Sequence, residues 1–121
     1  MEYNSYLTVT SDCMPGVTYT IRKMSFERRI DLTRQIRELA RKIEYLQAGQ
    51  DGGEKVEAVL LGAEVGRAYL SWGLAKVEGL DIDGEPATPG RLLETGPEAL
   101  CREVIAAVKA ECGLTDEERK N

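Results

Sequence analysis

The helical signal that decides the fold lies in residues 25–46, which read SFERRIDLTRQIRELARKIEYL. Apolar side chains recur there at alternating spacings of four and three residues, the period of one helix face packed on another helix. Ser25 is suited to cap the first turn. The stretch predicts a long amphipathic helix that begins after Ser25, ends near residues 48–49 and needs a partner helix. Its apolar stripe consists of Leu32, Ile36, Leu39, Ile43 and Leu46, with Phe26 and Ile30 extending it.

The predicted partner helix follows after a short turn. Residues 50–53, Gln-Asp-Gly-Gly, are typical of a flexible turn, and residues 54–77 are apolar on most sides, which predicts a second helix. The two helices would form a helical hairpin over residues 25–78. Gly62 and Gly66, with Ala58 one turn before, place small residues at four-residue intervals along the second helix, so we expect a tight helix crossing there.

Residues 1–24 carry the pattern of a β-hairpin. Residues 6–10 and 17–22 are rich in β-branched and aromatic side chains that alternate with polar ones, and the sequence Met-Pro-Gly at 14–16 separates them. A two-stranded ribbon is only marginally stable alone, so we expect it to pack on the helices, to extend a larger sheet or to pair with a partner. The alternation places three large side chains on one face, namely Val17, Tyr19 and Ile21.

Residues 79–121 predict a turn-rich connection followed by shorter helices. The pair at 83–84, Asp-Gly, is suited to a tight turn, and the pairs at 88–89 and 96–97 are typical of helix starts. Residues 115–118 form a capping-box pattern that predicts a last, polar turn. We therefore predict one domain over residues 1–121 of the α+β class, mainly helical. It has an amino-terminal β-hairpin, a long helical hairpin and shorter carboxyl-terminal helices.

The composition argues against catalysis and bound cofactors. The 121-residue chain has no histidine, which is the side chain most often used for proton transfer near neutral pH. Its three cysteines, at 13, 101 and 112, show neither Cys-x-x-Cys spacing nor a nucleophile motif, and no phosphate-binding or dinucleotide-binding loop is present. We predict a protein that is not an enzyme and holds no cofactor and no metal.

Charge is unevenly distributed along the chain. The net charge is −5, yet residues 22–46 hold eight basic and four acidic side chains, whereas residues 51–121 hold eight basic and fifteen acidic ones. The overall acidity makes general nucleic-acid binding unfavourable. No segment resembles a signal peptide and no apolar run approaches about 18 residues. We therefore expect a cytoplasmic protein that does not interact with membranes.

Five residues are candidates for contact with a partner. Arg34, Arg37 and Arg41 share one face of the first helix, where they form either a solvated flank or a phosphate-contacting surface. Trp72 is either a core anchor or an interface hot spot, and Tyr69 lies on the same predicted helix.

Three stretches carry a resemblance to a known class of proteins. They are residues 72–88, WGLAKVEGLDIDGEPAT, residues 96–100, GPEAL, and residues 114–121, LTDEERKN. The chain resembles small proteins of tailed bacteriophages and prophages and looks like a tail assembly chaperone. That resemblance implies transient binding of the tape-measure protein in the cytoplasm of the bacterial host. The long apolar helices of the tape-measure protein would be kept soluble while tail-tube subunits assemble.

Two other functions are kept open. One is a structural head-tail or tail completion protein that forms homo-oligomers through the amino-terminal ribbon, whose strands would otherwise leave unpaired edges. The other is a small nucleic-acid-binding regulator that uses the basic helix. The partners expected are thus the tape-measure protein or other tail proteins, with a second copy of the chain as a further possibility.

Overall fold

A computed structural model describes residues 1–48 and 52–113 of the chain. Their element order is β1 (Tyr6–Thr10), β2 (Thr18–Arg22), α1 (Phe26–Gln47), α2 (Gly52–Gly73), β3 (Leu74–Glu78), β4 (Asp81–Ile82), β5 (Glu85–Pro86), α3 (Pro89–Thr95) and α4 (Glu98–Glu111). The predicted class, α+β and mainly helical, is confirmed. None of the helices in these ranges is long and apolar enough to span a membrane.

The helical hairpin consists of α1 and α2. The Ser25 side chain accepts a hydrogen bond from the Arg28 amide at 3.2 Å, so the predicted cap is present. Leu32 from α1 and Ala58 from α2 are buried. Phe26 is 87% exposed and Ile30 is also exposed, so their predicted place in the apolar stripe is wrong. At 3.6 residues per turn both lie on a different side of α1 from Leu32 and Ile36. Gly52 and Gly53 were predicted to belong to the turn but are part of α2, and residues 49–51 lie outside the described residues.

The amino-terminal ribbon extends into a three-stranded antiparallel sheet with the order β1-β2-β3. The prediction that the second helix continues to residue 77 is wrong, because α2 ends at Gly73 and residues 74–78 form β3, paired with β2. Leu74 and Val77 are buried on this strand, and the ladder has an irregularity between Thr20 and Ile21. The spacing of these two apolar residues also suits a helix, which explains the error.

One hydrophobic core joins the sheet to the helices. As predicted, Val17, Tyr19 and Ile21 all point into it. The turn at 83–84 has positive φ at both residues and joins β4 to β5, and Thr88 caps α3 at the Arg91 amide. Gly113 has a positive φ just after the end of α4. The capping-box pattern at 115–118 lies outside the described residues.

Candidate protein-binding surface

The outer face of α2 presents a ridge of exposed aliphatic side chains. Val56 is 62% exposed, Val59 74% and Leu60 57%, and Ala63 is exposed one turn further on. Their spacing of three and four residues places them on one helix face, which we call the α2 ridge. Exposed apolar area costs roughly 25 cal/mol per Å² relative to buried area, so a cluster of such side chains commonly marks a binding surface.

An apolar groove of about 470 Å³ lies between the two helices of the hairpin, next to the end of α4. We call it the hairpin groove. Among the residues that the structure describes, Lys109 from α4 and Tyr69 are the ionisable residues that line it. The other lining residues are Ile36, Ala40 and Ile43 from α1 and Gly62, Val65 and Tyr69 from α2.

The groove exists because α4 covers only part of α2. A Cβ atom on Gly66 would lie 3.2 Å from Ile105 Cδ1, so α4 crosses closely at that position, as predicted. A Cβ atom on Gly62 would meet nothing within 4 Å. The close crossing therefore includes Gly66 and does not extend to Gly62: α4 does not reach Gly62, which is an open part of the groove wall.

Two smaller hollows continue the groove along α1. One, of about 190 Å³, shares Ile36 and Tyr69 with the hairpin groove, and the other, of about 290 Å³, shares Arg29, Thr33 and Arg37 with the first. The hollow on the opposite side of the hairpin is larger, about 650 Å³, but mixes both signs of charge. By contrast, the charged residues that line the groove and its two continuations are all basic, namely Arg29, Arg34, Arg37 and Lys109.

The structure brings some of the five candidate residues together and separates others. Arg37 and Tyr69 line the same hollow, and Arg34 lines the next one. Tyr69 is only 1% exposed, with Lys109 Nζ 5.3 Å from its ring centroid, so it forms the floor and offers little contact area. Arg41 is exposed but lies in the mixed-charge hollow across the hairpin. Trp72 belongs to a separate cluster.

Trp72 lies at the junction between α2 and β3, beneath Arg28. The Arg28 guanidinium carbon is 4.1 Å from the ring centroid, and Arg28 donates a hydrogen bond to the Trp72 carbonyl oxygen at 2.9 Å. Arg22 donates to the Leu74 carbonyl oxygen at 3.1 Å. Burial first, and then repulsion from Arg22, lowers the pKa of Arg28. These cations satisfy carbonyl groups at the end of α2, so they support the change from helix to strand.

Glu103 fastens the loop between β1 and β2 to α4. One of its carboxylate oxygens accepts three hydrogen bonds, from the Ser11 hydroxyl at 3.1 Å and from the amides of Asp12 at 3.1 Å and Cys13 at 2.9 Å. Burial raises the pKa of Glu103, but hydrogen bonds from the Cys13 amide and from the side chains of Tyr19, Cys13 and Ser11 outweigh it and hold the pKa below its ordinary value. The role of Glu103 was not predicted from the sequence, because no local motif distinguishes it from the exposed glutamates.

The cysteines show no arrangement for nucleophilic chemistry. All three are free, with Cys13 exposed and Cys112 buried. Burial raises the pKa of both Cys101 and Cys112, which keeps them as thiols near neutral pH. Within residues 1–48 and 52–113, no group of three His, Cys, Asp or Glu side chains is placed to hold a metal ion.

The chain matches no known protein family, no curated protein and no solved structure. Its resemblance to tail assembly chaperones therefore stays a prediction from the sequence.

Proposed function

We propose that this protein binds an apolar helical segment of another protein through its helical hairpin, and that it acts as a non-enzymatic tail assembly chaperone for the tape-measure protein. The observation that carries the proposal is the α2 ridge beside the apolar hairpin groove. A helix with apolar residues at spacings of three, four and seven would bury that ridge or fill the groove, as helices do in other groove-binding proteins.

The hairpin suits a reversible interaction. The sheet, α3 and α4 form the hydrophobic core together with the first half of α1 and the last half of α2. Val56, Val59 and Leu60 lie in the first half of α2, before the point where α4 crosses it. A client can therefore be bound and released without disturbing that core. Such exchange is what a chaperone needs while its client waits to be assembled.

Co-expression with the tape-measure protein of the same genome tests the proposal. We expect the chain to raise the soluble fraction of that protein and to purify with it. The double variant Val59→Ser/Leu60→Ser should fold normally, because both side chains are exposed. It should bind the client at least about tenfold more weakly, since burying each aliphatic side chain contributes roughly 1.5–3 kcal/mol.

The matched control is Leu7→Ser, which removes an exposed aliphatic side chain from β1 rather than from the hairpin. It should leave client binding unchanged. Equal binding by the wild type and the double variant would reject the ridge as the contact surface. Absence of any complex, with the tape-measure protein no more soluble, would reject the chaperone function itself.

A structural tail component is the second candidate, and one observation supports it. Within the described residues, β1 pairs only with β2, so it is an edge strand, and its Tyr6 and Leu7 are exposed. Edge strands are sites where further chains can add. Light scattering separates the two functions: a stable ring that Leu7→Ser dissociates supports the structural role, whereas a monomer supports the chaperone.

A further inference from the structure

The geometry points to an acidic amphipathic helix of a partner protein as the occupant of the hairpin groove, an inference that rests on the proposed function and specifies the chemistry of its client. The groove and its two continuations along α1 combine an apolar lining with charges of one sign. The first property selects the apolar face of a client, and the second selects the residues that flank that face.

The groove is shaped for a helix. Ile36, Ala40 and Ile43 recur at spacings of four and three, so they form one continuous face along two turns of α1. Across the groove, Gly62 leaves open space in which a client backbone can approach closely. From residue 29 to residue 43, α1 is about 21 Å long at 1.5 Å per residue, which matches a client helix of about 14 residues.

The basic residues of the lining favour a client helix that carries acidic residues beside its apolar face. Arg29, Arg34 and Arg37 line the two hollows along α1, and Lys109 lines the groove from α4. No aspartate or glutamate lines the groove or its continuations in the part of the chain that the structure describes. Glutamates beside the apolar face of a client would meet these cations, whereas lysines there would be repelled. The mixed-charge hollow on the other side of the hairpin offers no such preference.

Two synthetic helical peptides of 18 residues test the inference. Both carry leucines at helical spacing, one with glutamates and the other with lysines beside them, and fluorescence anisotropy measures their binding to the full chain. We expect the glutamate peptide to bind at least about tenfold more tightly at low salt, with the preference falling as salt screens the charges. In the double variant Arg37→Glu/Lys109→Glu the preference should disappear or reverse.

A steric block locates the site. Gly62→Trp fills the groove at a position where a Cβ atom has free space, so the fold should tolerate it and the glutamate peptide should lose most of its affinity. Gly90→Trp is the matched control, because a Cβ atom on Gly90 in α3 also meets nothing within 4 Å. It should bind as the wild type does, and circular dichroism confirms that both variants are folded.

Five results would overturn the inference. Equal affinity for the two peptides, or failure of both to bind, would show that the groove does not select acidic helices. Wild-type affinity of the Gly62→Trp variant would show that the peptide binds elsewhere. A dimer that Gly62→Trp splits into monomers would assign the groove to a second copy. A gain in peptide affinity in Asp116→Asn/Glu117→Gln/Glu118→Gln would assign it to the chain's own acidic residues. The chaperone function would survive any of these if co-expression still solubilised the tape-measure protein.

Discussion

At the scale of single residues, Glu103 shows how one ionised side chain connects distant parts of the chain. Its carboxylate binds a loop some 90 residues earlier in the sequence, through donors on Ser11, Asp12 and Cys13. Hydrogen bonds to a charged group contribute more than those to a neutral one, about 1.5–3 kcal/mol against about 1 kcal/mol. A neutral side chain of the same shape should therefore hold the loop less firmly.

Glu103→Gln should lower the free energy of unfolding by about 1–2 kcal/mol at pH 7, measured by urea denaturation. The matched control is Glu98→Gln on the same helix, whose exposed ion pair with Arg102 should contribute no more than about 0.5 kcal/mol. Equal losses in the two variants would show that the loop contacts of Glu103 add nothing to stability.

The same variant has a defined pH dependence. The folded state holds the pKa of Glu103 below its ordinary value of 4.5, so the carboxylate stabilises the fold fully above that pH. The contribution is lost as the pH falls through the lowered pKa. The difference in stability between the wild type and Glu103→Gln should therefore be constant from pH 7 to about pH 5 and shrink in more acid solution. A difference that grew on acidification would contradict this assignment.

At the scale of elements, α2 combines two environments within one helix. At the middle of the helix, Gly62 is open, whereas at the carboxyl-terminal end a Cβ atom on Gly73 would lie 2.5 Å from Val108 Cγ1. The carboxyl-terminal end of α2 is thus packed closely against α4, whereas the helix is not covered by α4 at Gly62. We therefore expect alanine to change the free energy of unfolding in opposite directions at Gly62 and at Gly73.

Gly62→Ala should raise the free energy of unfolding by about 0.5–1 kcal/mol, because alanine restricts the unfolded chain and fits the helix. Gly73→Ala should lower it by about 1–3 kcal/mol, since Val108 or the backbone must shift to accept the methyl group. Thermal denaturation of the two variants measures both effects. The same sign of change in both would contradict the uneven cover of α2 by α4.

Most elements follow from local sequence patterns, and the exceptions have physical causes. The stripe from Leu32 onwards, the cap at Ser25 and the turn at 83–84 were predictable because each depends on neighbours within a few residues. Strand β3 was not, because the spacing of Leu74 and Val77 suits both a helix and a strand. Residues 74–78 form a strand because they pair with β2, more than 50 residues earlier, and because arginines bind carbonyl groups at the junction between α2 and β3.

At the scale of the whole molecule, the candidate surface arises from what the core leaves uncovered. The sequence predicted the apolar stripe of α1 and the basic residues beside it, including Arg37. It did not predict that α4 stops short of Gly62, nor that Lys109 reaches the groove, because both depend on how three helices pack together. The uneven charge of the chain also becomes a spatial feature, since the charged residues that line the groove and its continuations within residues 1–48 and 52–113 are all basic.

Hydrogen exchange of the chain, alone and mixed with the tape-measure protein, tests most directly whether the helical hairpin is the binding element. Binding should slow amide exchange in residues 36–43 and 56–66, which hold the groove and the α2 ridge, and leave residues 6–10 of the sheet edge unchanged. Slower exchange confined to residues 6–10, or no change anywhere in the described residues, would contradict the account.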